Sequence, residues 1–100
     1  MYARVSTLHL NLSKKQEAID IFTNSVIPEA KKQSGFKSAY FFIKRNAGEF
    51  VIITIWEDLD AAVANQKSGY FQKQIDKFEH LQVVVPEFSG YDVAAIQYAD

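Results

Sequence analysis

The 100-residue chain has no cysteine, only two prolines and four glycines, and a single tryptophan. Without cysteine neither a disulfide framework nor a thiolate metal site can form, which fits a reducing compartment. An excess of one charge is also missing: eleven basic residues face twelve acidic ones, and like charges run no further than the pairs Lys14-Lys15, Lys31-Lys32 and Lys44-Arg45. Neutralising phosphates takes a concentrated basic patch, so nucleic acid is excluded as a partner. No hydrophobic run approaches the roughly 20 residues that cross a bilayer. Nor does Met1-Tyr2-Ala3-Arg4 open the apolar stretch of a signal peptide. The chain therefore reads as cytoplasmic, with no membrane partner. His9 and His80 stand far apart with no ligand spacing, and Gly35, Gly48, Gly69 and Gly90 are each isolated at a break. Neither a metal site nor a phosphate-binding glycine loop is indicated, and no cofactor is expected. No serine has a histidine and aspartate arrangement that sequence can argue, which leaves hydrolase chemistry unsupported.

What the chain does have is apolar material, 48% hydrophobic and 14% aromatic, expected to fold as one modest domain over residues 1–100. Tyr2 to Leu10 alternates Tyr2, Arg4, Ser6 and Leu8 with Ala3, Val5, Thr7 and His9, the period of a strand. Ser13 and Gln16 have the spacing of a capping box, and Ala18, Ile19, Phe22, Val26, Ile27 and Ala30 share one helical face, so a helix is expected from about Lys14. Pro28 lacks an amide donor and crowds the carbonyl of Asn24, so the helix should bend or restart there, and Gly35 should end it. Phe36 to Arg45 reads as a second strand, Asn46-Ala47-Gly48-Glu49 as a hairpin turn and Phe50 to Trp56 as a third strand. Asp58 caps a helix carrying Leu59, Ala62 and Val63, which breaks near Ser68-Gly69 and resumes through Tyr70, Phe71, Ile75 and Phe78. Val83-Val84-Val85 opens a last strand region that Pro86 to Gly90 interrupts and Tyr91 to Tyr98 continues.

The order β, α, β, β, α, β is that of a ferredoxin-like α+β fold, an antiparallel sheet with both helices on one face. Phe50-Val51-Ile52-Ile53-Thr54-Ile55-Trp56 is apolar on both of its sides, unlike a strand that shows one face to water. The face away from the helices is expected to present Val51, Ile53 and Ile55 together with Ala39, Phe41 and Ile43. Such a face needs a cover, and a second copy packed sheet to sheet about a two-fold axis supplies one. Burying about five large side chains would contribute on the order of 10 kcal/mol before the cost of association.

The run from Pro28 through Gly35-Phe36, the hairpin closing at Gly48-Glu49, the strand ending in Trp56-Glu57-Asp58 and the helix to Tyr70-Phe71 resemble the antibiotic biosynthesis monooxygenase family of dimeric α+β barrels. The resemblance covers roughly residues 3 to 85. It implies a homodimer, and an activity class that includes cofactor-free quinol and anthrone monooxygenases as well as heme-degrading enzymes. Trp56 stands at the family's strand-terminal tryptophan, which in some members faces the substrate pocket. Many members carry a histidine about nine residues after that tryptophan and another just before a phenylalanine. Here Asn65 and Tyr70 occupy those places, with Phe71 retained. For the heme-degrading branch, Asn65 and Ile75 stand where a helical tryptophan and an axial histidine are needed.

The candidate catalytic residues are Trp56, His9 and Arg4. Trp56 is a core aromatic or a pocket wall; His9 a general base near neutral pH or a hydrogen-bonded bystander; Arg4 an orienter of an anion or half of a cross-strand ion pair. Tyr40, Phe42, Asn65, Tyr70 and Phe71 are the candidate substrate-binding residues, each able to serve a packed core instead. His80 suits a helix C-terminus. The leading expectation is a cofactor-independent monooxygenase acting on a small quinol, phenol or anthrone. The competing one is a non-catalytic dimer that binds a small hydrophobic molecule or only assembles, and heme degradation comes third.

Overall fold

The computed structural model describes residues 1–99. Strands β1 (Tyr2–His9), β2 (Phe36–Ile43), β3 (Glu49–Trp56) and β4 (Glu87–Asp92) form one antiparallel sheet in the order β2-β3-β1-β4. The first crossover holds α1 (Lys15–Ile21), a π-helical turn over Phe22–Val26 and α2 (Ile27–Ala30). The second holds α3 (Leu59–Lys67) and α4 (Tyr70–Asp76). This is the ferredoxin-like α+β fold expected from the element order. Both crossovers cover one sheet face, and Leu8, Leu10, Ala18, Phe22, Val26, Phe50, Ile52, Phe78 and Leu81 form the core between the layers.

Register decides which strand residues meet the helices. Pairing of Tyr2 with Trp56, Arg4 with Thr54, Ser6 with Ile52 and Leu8 with Phe50 puts these eight on the covered face. Phe41 pairs with Ile52 and stacks on Phe22 at 5.0 Å, so Ala39, Phe41 and Ile43 also pack toward the helices. That corrects their assignment to the uncovered face. Tyr40 and Phe42, paired with Ile53 and Val51, lie there instead. The pattern of β2 is apolar on both sides, so alternation alone cannot orient it; the irregular pairing between Phe36 and Ser38 sets the phase.

Three local expectations are corrected. Asn11, not Ser13, supplies the first cap: its Oδ1 accepts from the Ser13 amide at 3.0 Å, while Gln16 donates to Asp20. The last strand is Glu87–Asp92, which runs through most of the stretch read as a break and takes in only Tyr91 and Asp92 of the one expected to resume, and Val83 to Val85 are exposed loop residues. All six residues of β4 are exposed, so its ladder with β1 forms without burying an apolar stripe that the sequence would have shown. Strand β2 stops at Ile43 rather than Arg45, because the turn reverses through Lys44 to Gly48, with Asn46 at φ 60°. At Pro28 the helix restarts as expected: α2 begins at Ile27 with Pro28 in its first turn, after a turn widened to the π form in which the Ile27 amide reaches back to the Phe22 carbonyl.

Other punctuation falls where expected. Asp58 Oδ1 accepts from the Ala61 amide at 2.8 Å. Gly35 takes φ +81°, and a Cβ there would lie 2.6 Å from the Ala61 Cβ, so glycine lets β2 start close against α3. Gly35→Ala is expected to cost about 1–3 kcal/mol by combined strain and clash, measured as a lower urea midpoint; an unchanged midpoint would refute the close-approach argument.

Candidate functional site

Arg4 sits in the middle of β1 on the helix-covered face and is only 7% exposed. Its Nη1 donates to Asn65 Oδ1 at 2.9 Å and its Nη2 to the Ala62 carbonyl at 2.7 Å, both on α3. The guanidinium carbon lies 4.2 Å from the Phe71 ring centroid and 5.9 Å from that of Trp56. Among the described residues no carboxylate pairs with it. Burial lowers its pKa, against opposing contributions from Tyr2 and Tyr70, yet a guanidinium stays charged in this range. The result is a buried cation held by a neutral amide, a peptide carbonyl and two aromatic rings.

Trp56 closes β3 at the same level, 1% exposed, with Nε1 donating to Thr54 Oγ1 at 2.9 Å. The Phe36 and Tyr70 rings stand edge-on to it at 5.6 and 6.4 Å. Asn65 Nδ2 donates to the Ala61 carbonyl, which leaves Oδ1 to hold Arg4. Arg4, Ser6, Thr54, Trp56, Tyr70 and Phe71 line a small cavity of about 30 Å³ between sheet and helices, floored by Gln74 and Phe78. On the other side of Arg4 and Phe71, an outer cleft of about 210 Å³ opens between α3, β1 and β4.

Gln74 Nε2 donates to Glu29 Oε2 at 2.7 Å, and Lys77 and Lys73 stand 3.3 and 3.6 Å from that carboxylate. The Gln74 bond first, and the lysines after it, hold the Glu29 carboxyl below its ordinary pKa. Burial, reinforced by Glu29 and opposed by Arg4, pushes the Tyr70 phenol up to about 12. Tyr70 is therefore a neutral hydrogen-bond donor throughout the physiological range. A group whose pKa rises on folding favours the folded state below its unfolded value, near 10, and loses that contribution as pH climbs to about 12. Tyr70→Phe is expected to flatten the stability loss between about pH 10 and 12 relative to wild type, measured by urea unfolding across that window; parallel curves would contradict it.

The structure thus brings Arg4, Trp56, Asn65, Tyr70 and Phe71 together. His9, Tyr40 and Phe42 lie on the opposite face: His9 Nε2 is 4.0 Å from Glu87, and Tyr40 and Phe42 stack on each other at 6.0 Å. His80 pairs with Glu17 across the two crossovers, outside the site. Ile75 is a buried core residue. Thr54 and Gln74 were not singled out from sequence. Thr54 carried a readable signal, as the one hydroxyl in an otherwise apolar strand and in phase with Trp56. Among the described residues no group of three His, Asp or Glu side chains gathers as a metal site would need, and no helix is long and apolar enough to cross a membrane.

Comparison with known proteins adds a lineage. Among solved structures, a monooxygenase from the ActVA-Orf6 gene of Streptomyces coelicolor, in complex with nanaomycin D, superposes with a TM-score of 0.79 at 16% identity, covering 98% of this chain and 92% of that one. SnoaB, a cofactor-independent oxygenase from Streptomyces nogalater, gives 0.77 at 17% identity over 95% and 94% of the two chains. A conserved protein from Methanosarcina mazei Go1 gives 0.74 at 18% identity over 90% and 89%. At these identities the likeness establishes the fold. No curated protein matches the sequence. The family model described as antibiotic biosynthesis monooxygenase matches residues 1–77, most of the chain and every residue of the Arg4–Trp56–Asn65–Tyr70–Phe71 cluster. The chain belongs to the antibiotic biosynthesis monooxygenase family.

Proposed function

We propose that the protein is a cofactor-independent monooxygenase acting on a small aromatic substrate of the quinol, phenol or anthrone class. The observation that carries this reading is the buried Arg4 guanidinium, without a carboxylate partner, on the wall of an aromatic-lined cavity. Direct oxygenation needs an electron-rich substrate anion. For an anthrone, loss of a ring-methylene proton gives a carbanion that reduces O2 and combines with it; one oxygen remains as the new carbonyl and the other leaves as water. No external reductant enters that balance.

In this reading Arg4 lowers the substrate's own pKa and holds its oxyanion. Asn65 fixes the guanidinium, and Tyr70 donates from a phenol that stays neutral. Trp56, Phe71 and Phe78 exclude water from the reacting carbon. Neither an imidazole nor a carboxylate lines the cavity, so the proton passes to solvent through the outer cleft before the reacting carbon is closed off from water, rather than to a resident base. The cavity is far below the roughly 300 Å³ of a ligand site, so Phe71 turns aside to admit substrate and joins the cavity to the outer cleft. The test is oxygen uptake with a panel of quinols, anthrones and naphthols in chelator-treated buffer. Saturable, protein-dependent uptake is the expected result, and its absence across the panel would reject the assignment.

The same proposal includes a homodimer. The uncovered sheet face shows Val5, Val51, Ile53 and Ile55 half-buried, with Tyr40 43% and Phe42 51% exposed. An apolar face of this extent is the natural seat of a second copy. Ile53→Asp is expected to convert the dimer to a monomer of half the mass by light scattering, with helical content retained. A dimer that survives this change would place the interface elsewhere.

A further inference from the structure

The outer cleft has an unusual balance of charge. Leu59, Phe71 and Phe88 make its apolar walls, and Tyr2, Gln66 and Ser89 add hydroxyl and amide groups around Arg4. No aspartate, glutamate or lysine lines it, so the Arg4 guanidinium is its one formal charge. Nη1 and Nη2 are engaged by Asn65 and Ala62, while Nε donates to no group among the described residues. An amide oxygen and a peptide carbonyl carry only partial charges, whereas a guanidinium is best satisfied by a planar carboxylate. The walls favour a flat ring. Phe71 stacks on Arg4, and Phe88 meets Phe71 edge-on at 5.2 Å from an otherwise polar edge strand. Gly90 keeps the rim narrow, since the Tyr2 hydroxyl fills the space a Cβ would take.

We infer that the outer cleft is a binding site for the carboxylate end of a planar aromatic acid, paired with Arg4 and flanked by Phe71 and Phe88. Taken with the monooxygenase reading, on which this last step rests, the substrate is an aromatic hydroxy acid rather than a neutral quinol. A cationic ligand would be repelled by Arg4, and inorganic phosphate would gain nothing from the apolar walls.

The test compares a hydroxynaphthoate with its neutral primary amide by calorimetric titration under argon at about pH 7.5, where the carboxylate is ionised. The acid should bind at least about tenfold more tightly, the yield of a charge-assisted hydrogen bond. Gln66→Glu, at an exposed position on α3, places a competing carboxylate in the cleft and should abolish that advantage. Arg4→Met should also abolish the acid's advantage; if that variant fails to fold, Gln66→Glu alone decides. Equal affinity for acid and amide, or an acid advantage that survives in Gln66→Glu, overturns the inference. Oxygen uptake separates it from the catalytic reading. Tight binding of the acid without uptake keeps the site and removes the monooxygenase, whereas uptake with an anthrone alongside equal binding of acid and amide does the reverse.

Discussion

Arg4→Met is expected to lower the oxidation rate by about a hundredfold or more, the effect of removing a positioned donor from a developing oxyanion. The loss should fall mainly on kcat, because the apolar walls that hold the ring remain. Its effect on stability has two opposing parts. Methionine replaces a buried cation that no carboxylate compensates, a change that is often neutral or favourable. Against that, Asn65 Oδ1 loses its donor at 2.9 Å, and an unsatisfied buried amide oxygen costs about 1–3 kcal/mol. Arg4→Lys keeps the charge without the forked geometry and should recover only part of the rate. If Arg4→Met turns over like wild type while unfolding earlier, the guanidinium is a structural tie between β1 and α3.

Trp56→Ala is expected to cost about 3–5 kcal/mol, the range for truncating a fully buried large aromatic. The indole is 1% exposed, held by Thr54 Oγ1 and wedged between the Phe36 and Tyr70 rings. Since a domain of this kind is stable by about 5–15 kcal/mol, the alanine variant stands near the edge of unfolding, and lost activity in it would say nothing about chemistry. Trp56→Phe separates the roles: it retains the ring packing and loses the Thr54 bond. Urea unfolding should show a small loss for phenylalanine and a large one for alanine. A small loss for alanine would mean that the indole is not a core residue.

The element order, the Asp58 cap and the break before α4 were legible because each rests on local chemistry: an acceptor facing free amides, and glycine at positive φ, +85° at Gly69. Pairing registers were not legible. Phe36 to Ile43 is apolar on both faces, so only the partner strand tells Phe41 from Phe42. Strand β4 was missed for a related reason, since an exposed edge strand is selected by its backbone ladder with β1 rather than by side-chain alternation. Within the site, Trp56, Asn65, Tyr70 and Phe71 could be named because they stand at positions that the family resemblance picks out. His9 shows the limit: its residue type suits catalysis, but the period of β1 puts it on the face opposite Arg4. Gln74 carried no such signal: it is buried and donates to Glu29, a pairing between residues 45 apart in the chain.

The single tryptophan makes one measurement decisive. Trp56 emission would be followed while a quinol, anthrone or hydroxynaphthoate is titrated anaerobically, and O2 would then be admitted with uptake recorded. If the substrate occupies the cavity between Arg4 and Trp56, the emission change and the rate of uptake should saturate at the same ligand concentration, and Arg4→Met should lose the uptake while keeping an emission change. Uptake that saturates with no change at Trp56, or that persists in Arg4→Met, would contradict the placement of the chemistry on the helix-covered face.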